Sequence, residues 1–293
     1  MLNKKLAQFV FLCMALTLQA CGNEDGKIAD RAASAPASCP TEDFIRYAND
    51  NYCKESAPEK IFFLIDGTDG FPGGSKPWIK RNIFNKTTIS WAEEGAEISI
   101  ARLADRPVAD LEYTNICLPK HVSRINNITD NVGAIKRSNN VVGCAVNEIA
   151  DSYLDAESGA SRSVLIETIA EIFKNPRYRF DAIAPGQGVR KFYFVSDLFQ
   201  NSDVISFYKL CKKPSGAEAM TCPSYDSLVE GSSKLQRYLT EAMPNLNSSD
   251  EIYLYNINIG DRIDQSARVF WEQYFVAAGA DQANIHYRAE LSK

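Results

Sequence analysis

Lys60-Ile61-Phe62-Phe63-Leu64-Ile65 is apolar after its first residue and runs straight into Asp66-Gly67-Thr68-Asp69-Gly70. A short apolar run bounded by turn residues reads as a strand buried on both faces, the kind found in parallel sheets covered by helices. The pattern returns at Lys191-Phe192-Tyr193-Phe194-Val195-Ser196-Asp197 and at Glu251-Ile252-Tyr253-Leu254-Tyr255-Asn256-Ile257, giving three central-strand candidates.

Helical patterns fall between them. Ser163 to Phe173 sets Leu165, Ile169, Ile172 and Phe173 on one face, and Ser266 to Ala278 does the same with Ala267, Phe270, Trp271 and Tyr274; both match the 3.6-residue period. Pro77 to Trp91 and Ser232 to Met243 supply two more, the latter stopped by Pro244. Thr41 to Ala48 reads as a small helix opened by Thr41, with Glu42 and Asp43 near its positive end. Glu97 to Leu103 and Leu111 to Ile116 read as a strand pair turning around Arg106-Pro107, and Asn284 to Arg288 as a late edge strand. This alternation predicts an α/β fold, a three-layer, doubly wound, mostly parallel sheet. Two tracts, Pro119 to Asp155 and Leu210 to Glu230, read as loop insertions stapled by disulfides.

The chain has 293 residues and a formal net charge of -5, with no basic footprint for nucleic acid. Its two histidines, His121 and His286, stand far apart and lack the neighbours of a zinc site. Of eight cysteines, Cys13 and Cys21 belong to the N-terminal segment discussed below. The other six, Cys39, Cys53, Cys117, Cys144, Cys211 and Cys222, are even in number and contain no Cys-x-x-Cys, which favours structural disulfides. Sequential pairing, 39 with 53, 117 with 144 and 211 with 222, is the preferred arrangement, because each bridge closes a short irregular segment.

Lys4 and Lys5 followed by the apolar run Ala7 to Leu18 have the form of an export signal. Leu18-Gln19-Ala20-Cys21 resembles a bacterial lipobox. The resemblance implies removal of residues 1–20 and lipidation of Cys21, and Gly22 after the cysteine points to the outer membrane. Acyl chains tether a soluble domain because each buried methylene contributes about 0.8 kcal/mol. Residues 21–38 then form a polar, alanine-rich linker, and residues 39–293 the α/β domain.

In open α/β sheets ligands gather beyond the carboxyl ends of the strands. Asp66 and Asp197 each end an apolar strand, so neighbouring strands would bring their carboxylates together, with the Thr68 hydroxyl turned to the same point. Hard oxygen ligands of this kind suit Mg²⁺, Mn²⁺ or Ca²⁺. Here the chain, over roughly Lys60 to Arg288, resembles the von Willebrand factor A domain family, whose metal-ion-dependent adhesion site combines Asp-x-Ser-x-Ser after the first strand, a Thr in a loop before a helix and an Asp after the fourth strand. The resemblance implies metal ligands at Asp66, Thr68, Ser161 and Asp197. Gly70 stands where the second serine belongs, which makes the site degenerate.

Family members commonly bind another protein whose acidic side chain completes the metal coordination. The resemblance therefore implies a lipid-anchored, periplasm-facing module that recognises an envelope protein. Two alternatives stand beside it. Asp66-Gly67-Thr68-Asp69 has a partial likeness to haloacid dehalogenase phosphatases, which would make the chain a metal-dependent phosphoester hydrolase, although the second Asp is one residue too far along. A structural envelope lipoprotein with a non-functional site is the other. Serine-hydrolase and P-loop chemistry are disfavoured, since neither Gly-x-Ser-x-Gly nor Gly-x-x-x-x-Gly-Lys-Ser/Thr occurs.

Overall fold

The computed structural model describes residues 42–53, 57–68, 75–83, 92–103, 111–118, 132–155, 162–183, 186–213, 215–216, 221–257 and 266–289. Residues 1–20, Cys21, the linker, Cys39, Asp69, Gly70 and Ser161 lie outside them. Six strands form one sheet: β1 (Glu59–Asp66), β2 (Glu97–Leu103), β3 (Glu112–Cys117), β4 (Val189–Ser196), β5 (Glu251–Asn256) and β6 (Ile285–Ala289). Their order is β3-β2-β1-β4-β5-β6. All neighbours are parallel except β2 and β3, which pair antiparallel as the short connection between them requires. The three apolar runs are thus adjacent at the centre, and 285–289 is an edge.

Alternation along the strands divides their side chains between two apolar clusters. Phe62, Leu64, Phe192, Phe194, Ile252 and Leu254 pack with Leu165, Ile169, Ile172 and Phe173 of one helix (Leu165–Lys174) and with Phe270, Trp271 and Tyr274 of another (Ser266–Ala277). Ile61, Phe63, Ile65, Ile98, Ile100 and Ile116 pack with Ala48, Ile79, Ala145, Val146, Ala150 and Leu154. A central strand that buries both faces needs apolar side chains at odd and even positions alike, which is why β1 has no polar break. Burying each large apolar side chain contributes about 1.5 to 3 kcal/mol.

In chain order the α-helices are α1 (Glu42–Tyr52), α2 (Ser75–Asn82), α3 (Val132–Asp155), α4 (Leu165–Lys174), α5 (Phe207–Leu210), α6 (Tyr225–Gly231), α7 (Ser233–Glu241) and α8 (Ser266–Ala277). α1 runs one turn past the expected Ala48. α2 covers the first part of the helix expected at Pro77 to Trp91, of which residues 84–91 lie outside the described residues.

One tract read as a loop is a correction. Within Pro119 to Asp155, residues 132–155 form a 24-residue helix. Asn139-Asn140 near its middle hid the period, but the buried positions Ala145, Val146, Ala150, Tyr153 and Leu154 recur on one helical face. In the second tract, of which residues 214 and 217–220 lie outside the described residues, Lys212 and Thr221 form an antiparallel bridge and Tyr225–Gly231 form α6, so its end is helix rather than loop.

The disulfides bring a second correction. Cys211 pairs with Cys222 as expected, but Cys53 pairs with Cys117, with Cα atoms 5.4 Å apart. Pairings 39–53 and 117–144 are therefore excluded. The physical reason is that α1 lies against β3, where the Asn49 side-chain amide donates to the Asn115 carbonyl at 2.7 Å, and so delivers Cys53 to the sheet edge rather than to its sequence neighbour. Cys144 is also disulfide-bonded, and its partner lies outside the described residues. Among the described residues no helix is long and apolar enough to cross a membrane.

Candidate metal centre

The chain passes from β1 to β2 on one side of the sheet and from β4 to β5 on the other, so strand order reverses between β1 and β4. The carboxyl ends of these two strands flank the crevice where open sheets bind ligands. The register sets Ile65 opposite Val195, which brings Asp66 level with Ser196. Asp66 is 4% exposed.

Four hydrogen bonds converge on the Asp66 carboxylate. The Thr68 amide and hydroxyl donate to Oδ1 at 3.1 and 2.7 Å. The Ser163 and Ser196 hydroxyls each donate to Oδ2 at 2.8 Å. Burial pushes the Asp66 carboxyl up from its ordinary range, and the hydrogen bonds from Thr68, Ser196 and Ser163 offset that in part. None of the four donors is a cation, so the buried charge is solvated by neutral dipoles. Gly67 lets the chain pass close to Arg102, whose Nε would lie 3.0 Å from a Cβ at this position and would have to shift slightly to admit one.

Ser163 precedes α4, yet its hydroxyl does not cap that helix; the cap residue is Val164, which makes no side-chain cap bond. Gln200 fills the vacancy, its Oε1 accepting the Ile166 amide at 2.9 Å. Backbone bonds between Ser163 and Asn201, at 3.2 and 2.7 Å, lock the pre-helix loop to the segment that follows β4. Ser163 is thereby free to serve Asp66.

Asp197 sits one residue beyond β4. Its Oδ1 accepts the Phe199 amide at 2.8 Å and lies 3.5 Å from the Ser196 hydroxyl. Since that hydroxyl is 2.8 Å from Asp66 Oδ2, the carboxylates cannot be farther apart than those two legs laid end to end. Ser196 Oγ also accepts the Leu198 amide at 2.8 Å. Leu198 has φ of 67°, a left-handed conformation that costs an L residue roughly 1 to 2 kcal/mol. It persists because Leu198 is fully buried and its carbonyl accepts the Trp271 indole N–H at 2.9 Å.

Of the four expected metal ligands, Asp66, Thr68 and Asp197 meet at this crevice, while Ser161 lies outside the described residues. Ser163 and Ser196 were not singled out as ligands from sequence. Ser163 carried a signal, a hydroxyl just before a helix, that reads equally as a cap. Ser196 carried a weaker one, a polar residue ending an apolar strand. A hydroxyl has one proton, and those of Thr68 and Ser163 are committed to Asp66, so their oxygen lone pairs remain for a cation. With the carboxylates of Asp66 and Asp197 they form an all-oxygen donor set of the kind that suits Mg²⁺, Mn²⁺ or Ca²⁺; since each Asp66 oxygen already accepts two hydrogen bonds, a cation would reach Asp66 by displacing one of those donors or through a water. Ser196, with a lone pair engaged by Leu198, orients the set from behind.

No protein-family model matches the chain, and no curated protein matches it.

Proposed function

We propose that the chain is a lipid-anchored protein-binding module at the periplasmic face of the outer membrane, with a von Willebrand factor A-like three-layer, doubly wound domain that uses a divalent cation in recognition. The observation that carries this reading is the Asp66 carboxylate, buried at the switch point and surrounded by three neutral hydroxyls with Asp197 alongside. Such a cluster holds a hard cation without needing a fully enclosing cage, and a cation with open coordination positions accepts a carboxylate from a partner. The donor set contains no histidine or thiolate, which argues for Mg²⁺, Mn²⁺ or Ca²⁺ over softer ions. The partner is an envelope protein presenting an acidic side chain, and the membrane is reached through the Cys21 lipid.

Calorimetric titration of Mg²⁺, Mn²⁺ and Ca²⁺ into the whole chain, extracted from membranes in detergent with its anchor intact, tests the reading. One ion binds per chain, and Asp66→Ala and Asp197→Ala both abolish binding and partner co-purification. Absence of binding at millimolar metal, with co-purification unchanged in both variants, would refute it.

A further inference from the structure

At the opposite end of the sheet from Asp66, a second cluster has a different donor chemistry. Cys53 directly follows α1, Glu97 opens β2 and Cys117 closes β3, and their ligand atoms all lie within 4.8 Å of one another. Among the described residues this is the one convergence of three His, Cys, Asp or Glu ligand atoms. The sheet register fixes two of the three, since Glu97 and Cys117 are direct antiparallel partners. The third is held by α1 through the Asn49 bond to the Asn115 carbonyl.

In the folded chain Cys53 and Cys117 form a disulfide, so their sulfurs are not available as thiolates. Their surroundings nevertheless suit thiols. The Asn115 side-chain amide points at Cys53 Sγ from 3.8 Å, and Asn115 is itself oriented by the Ser99 hydroxyl donating to its Oδ1 at 2.9 Å. Asn49 Oδ1 stands 3.5 Å from the same sulfur, an acceptor for the proton of a Cys53 thiol. Glu97 is 5% exposed and paired with Arg179, whose side chain is 43% exposed and opens the cluster to solvent. A second shell that aims a donor at sulfur, and a buried carboxylate beside it, are the supports that metal-bound thiolates use.

We infer that Cys53, Cys117 and Glu97 form a redox-gated site for Zn²⁺, closed while the disulfide is intact and open when a dithiol reductant cleaves it. The reductant's thiolate attacks one sulfur and releases the other as a thiolate; its second thiol then resolves the mixed disulfide. Two electrons and two protons pass to Cys53 and Cys117, and the reductant leaves as its own disulfide. Zn²⁺ binds by displacing the two thiol protons to solvent. Two sulfurs, one carboxylate oxygen and a water complete a tetrahedron, and Arg179 offsets the remaining negative charge. Thiolate ligands favour Zn²⁺, whereas an all-oxygen cluster such as that at Asp66 suits harder ions.

The test uses the whole chain carrying Cys39→Ser, Cys144→Ser, Cys211→Ser and Cys222→Ser, with and without a phosphine reductant, titrated with Zn²⁺ against a chromophoric chelator. One equivalent more binds after reduction than before. Co²⁺ substitution gives a near-ultraviolet thiolate charge-transfer band, and Zn²⁺ raises the thermal midpoint of the reduced chain. Adding Cys53→Ser and Cys117→Ser removes the band. Glu97→Gln, which keeps both sulfurs, weakens Zn²⁺ binding at least tenfold while the thermal midpoint of the oxidised chain reports any effect on the fold. Absence of the band after reduction, loss of the fold on reduction that Zn²⁺ does not reverse, or an unchanged affinity in Glu97→Gln would each overturn the proposal.

Discussion

Replacing Asp66 with Asn separates a metal ligand from a structural turn residue. The carboxylate accepts four hydrogen bonds while 4% exposed. Asn keeps the shape, and its Oδ1 retains the two Thr68 donors. The Ser163 and Ser196 hydroxyls can rotate to accept from its Nδ2, so no buried polar atom is orphaned. Exchanging charged for neutral hydrogen bonds costs about 1 kcal/mol each. Removing a buried charge that has no cationic donor returns several kcal/mol of desolvation. The two terms oppose, and the expected change in stability without metal is about 1 kcal/mol in either direction. Metal affinity has no such compensation, because an anionic ligand becomes neutral; the loss should exceed the ~100-fold upper range for outer-shell partners. Urea unfolding followed by circular dichroism reads both effects. With Mn²⁺ at a hundred times its dissociation constant, the wild-type chain gains about 2.7 kcal/mol, and Asp66→Asn at the same concentration gains almost nothing. An equal gain in the two proteins would show that Asp66 is not a ligand. A loss above about 3 kcal/mol without metal would show that it serves the fold instead.

Other expectations follow from the same geometry. Ser196→Ala, which removes an orienting hydroxyl but no assigned ligand, should weaken Mn²⁺ binding 10- to 100-fold by calorimetry; no change would leave Ser196 outside the site. Arg190 and Asp250, 1% and 2% exposed in their side chains, form a two-pronged ion pair, and Arg190 also donates to the Phe180 and Asn245 carbonyls. Asp250→Leu should cost about 3 to 5 kcal/mol in urea unfolding, with part recovered in the double variant Arg190→Met/Asp250→Leu; a single variant near wild type would contradict the ion-pair reading. Partial burial works to raise the Asp181 carboxyl, but the hydrogen bond and charge of Lys60, at 2.6 Å, bring it below the usual carboxylate range. Its stabilising effect should be present above about pH 3.9, the unfolded value, and vanish as pH falls through the lower folded one. The difference in urea midpoint between wild type and Asp181→Asn should shrink over that acid window, and a difference that grows there would reverse the assignment. Cys21→Ser should abolish palmitate labelling and release the chain from membranes on fractionation; a labelled, membrane-bound variant would end the lipobox reading.

The central strands were legible because burial on both faces leaves almost no choice of residue type: Ile61 to Ile65 must be apolar throughout to meet cores on either side. The faces of α4 and α8 were legible for the same reason. The helix at 132–155 was not. Asn139-Asn140 near its middle carry the composition of a loop and interrupt the apolar period. Nor was the bridge from Cys53 to Cys117, since sequence spacing is blind to the packing of α1 on β3 that sets it. At the site, Asp66 and Asp197 stood out as carboxylates at strand ends, where chemical type and position coincide. Ser163 and Ser196 did not, because a hydroxyl near a helix start or strand end has ordinary local uses, and what distinguishes them is a partner 97 or 130 residues away.

That distance is also why the cluster can hold a fixed shape without an ion. Asp66 is reached from three separate segments: its own turn at Thr68, the pre-helix loop at Ser163 and the end of β4 at Ser196. The last two are tied to one another through the Asn201 backbone bonds. The left-handed turn at Leu198 is held between the Ser196 hydroxyl and the Trp271 indole, which links the site to the core beneath α8. Oxygens placed in this way pay little reorganisation on binding. On the proposed reading, a hard cation in the crevice would meet oxygens already oriented by the fold, with Thr68, Ser163 and Ser196 held by Asp66 and Asp197 held by the Phe199 amide.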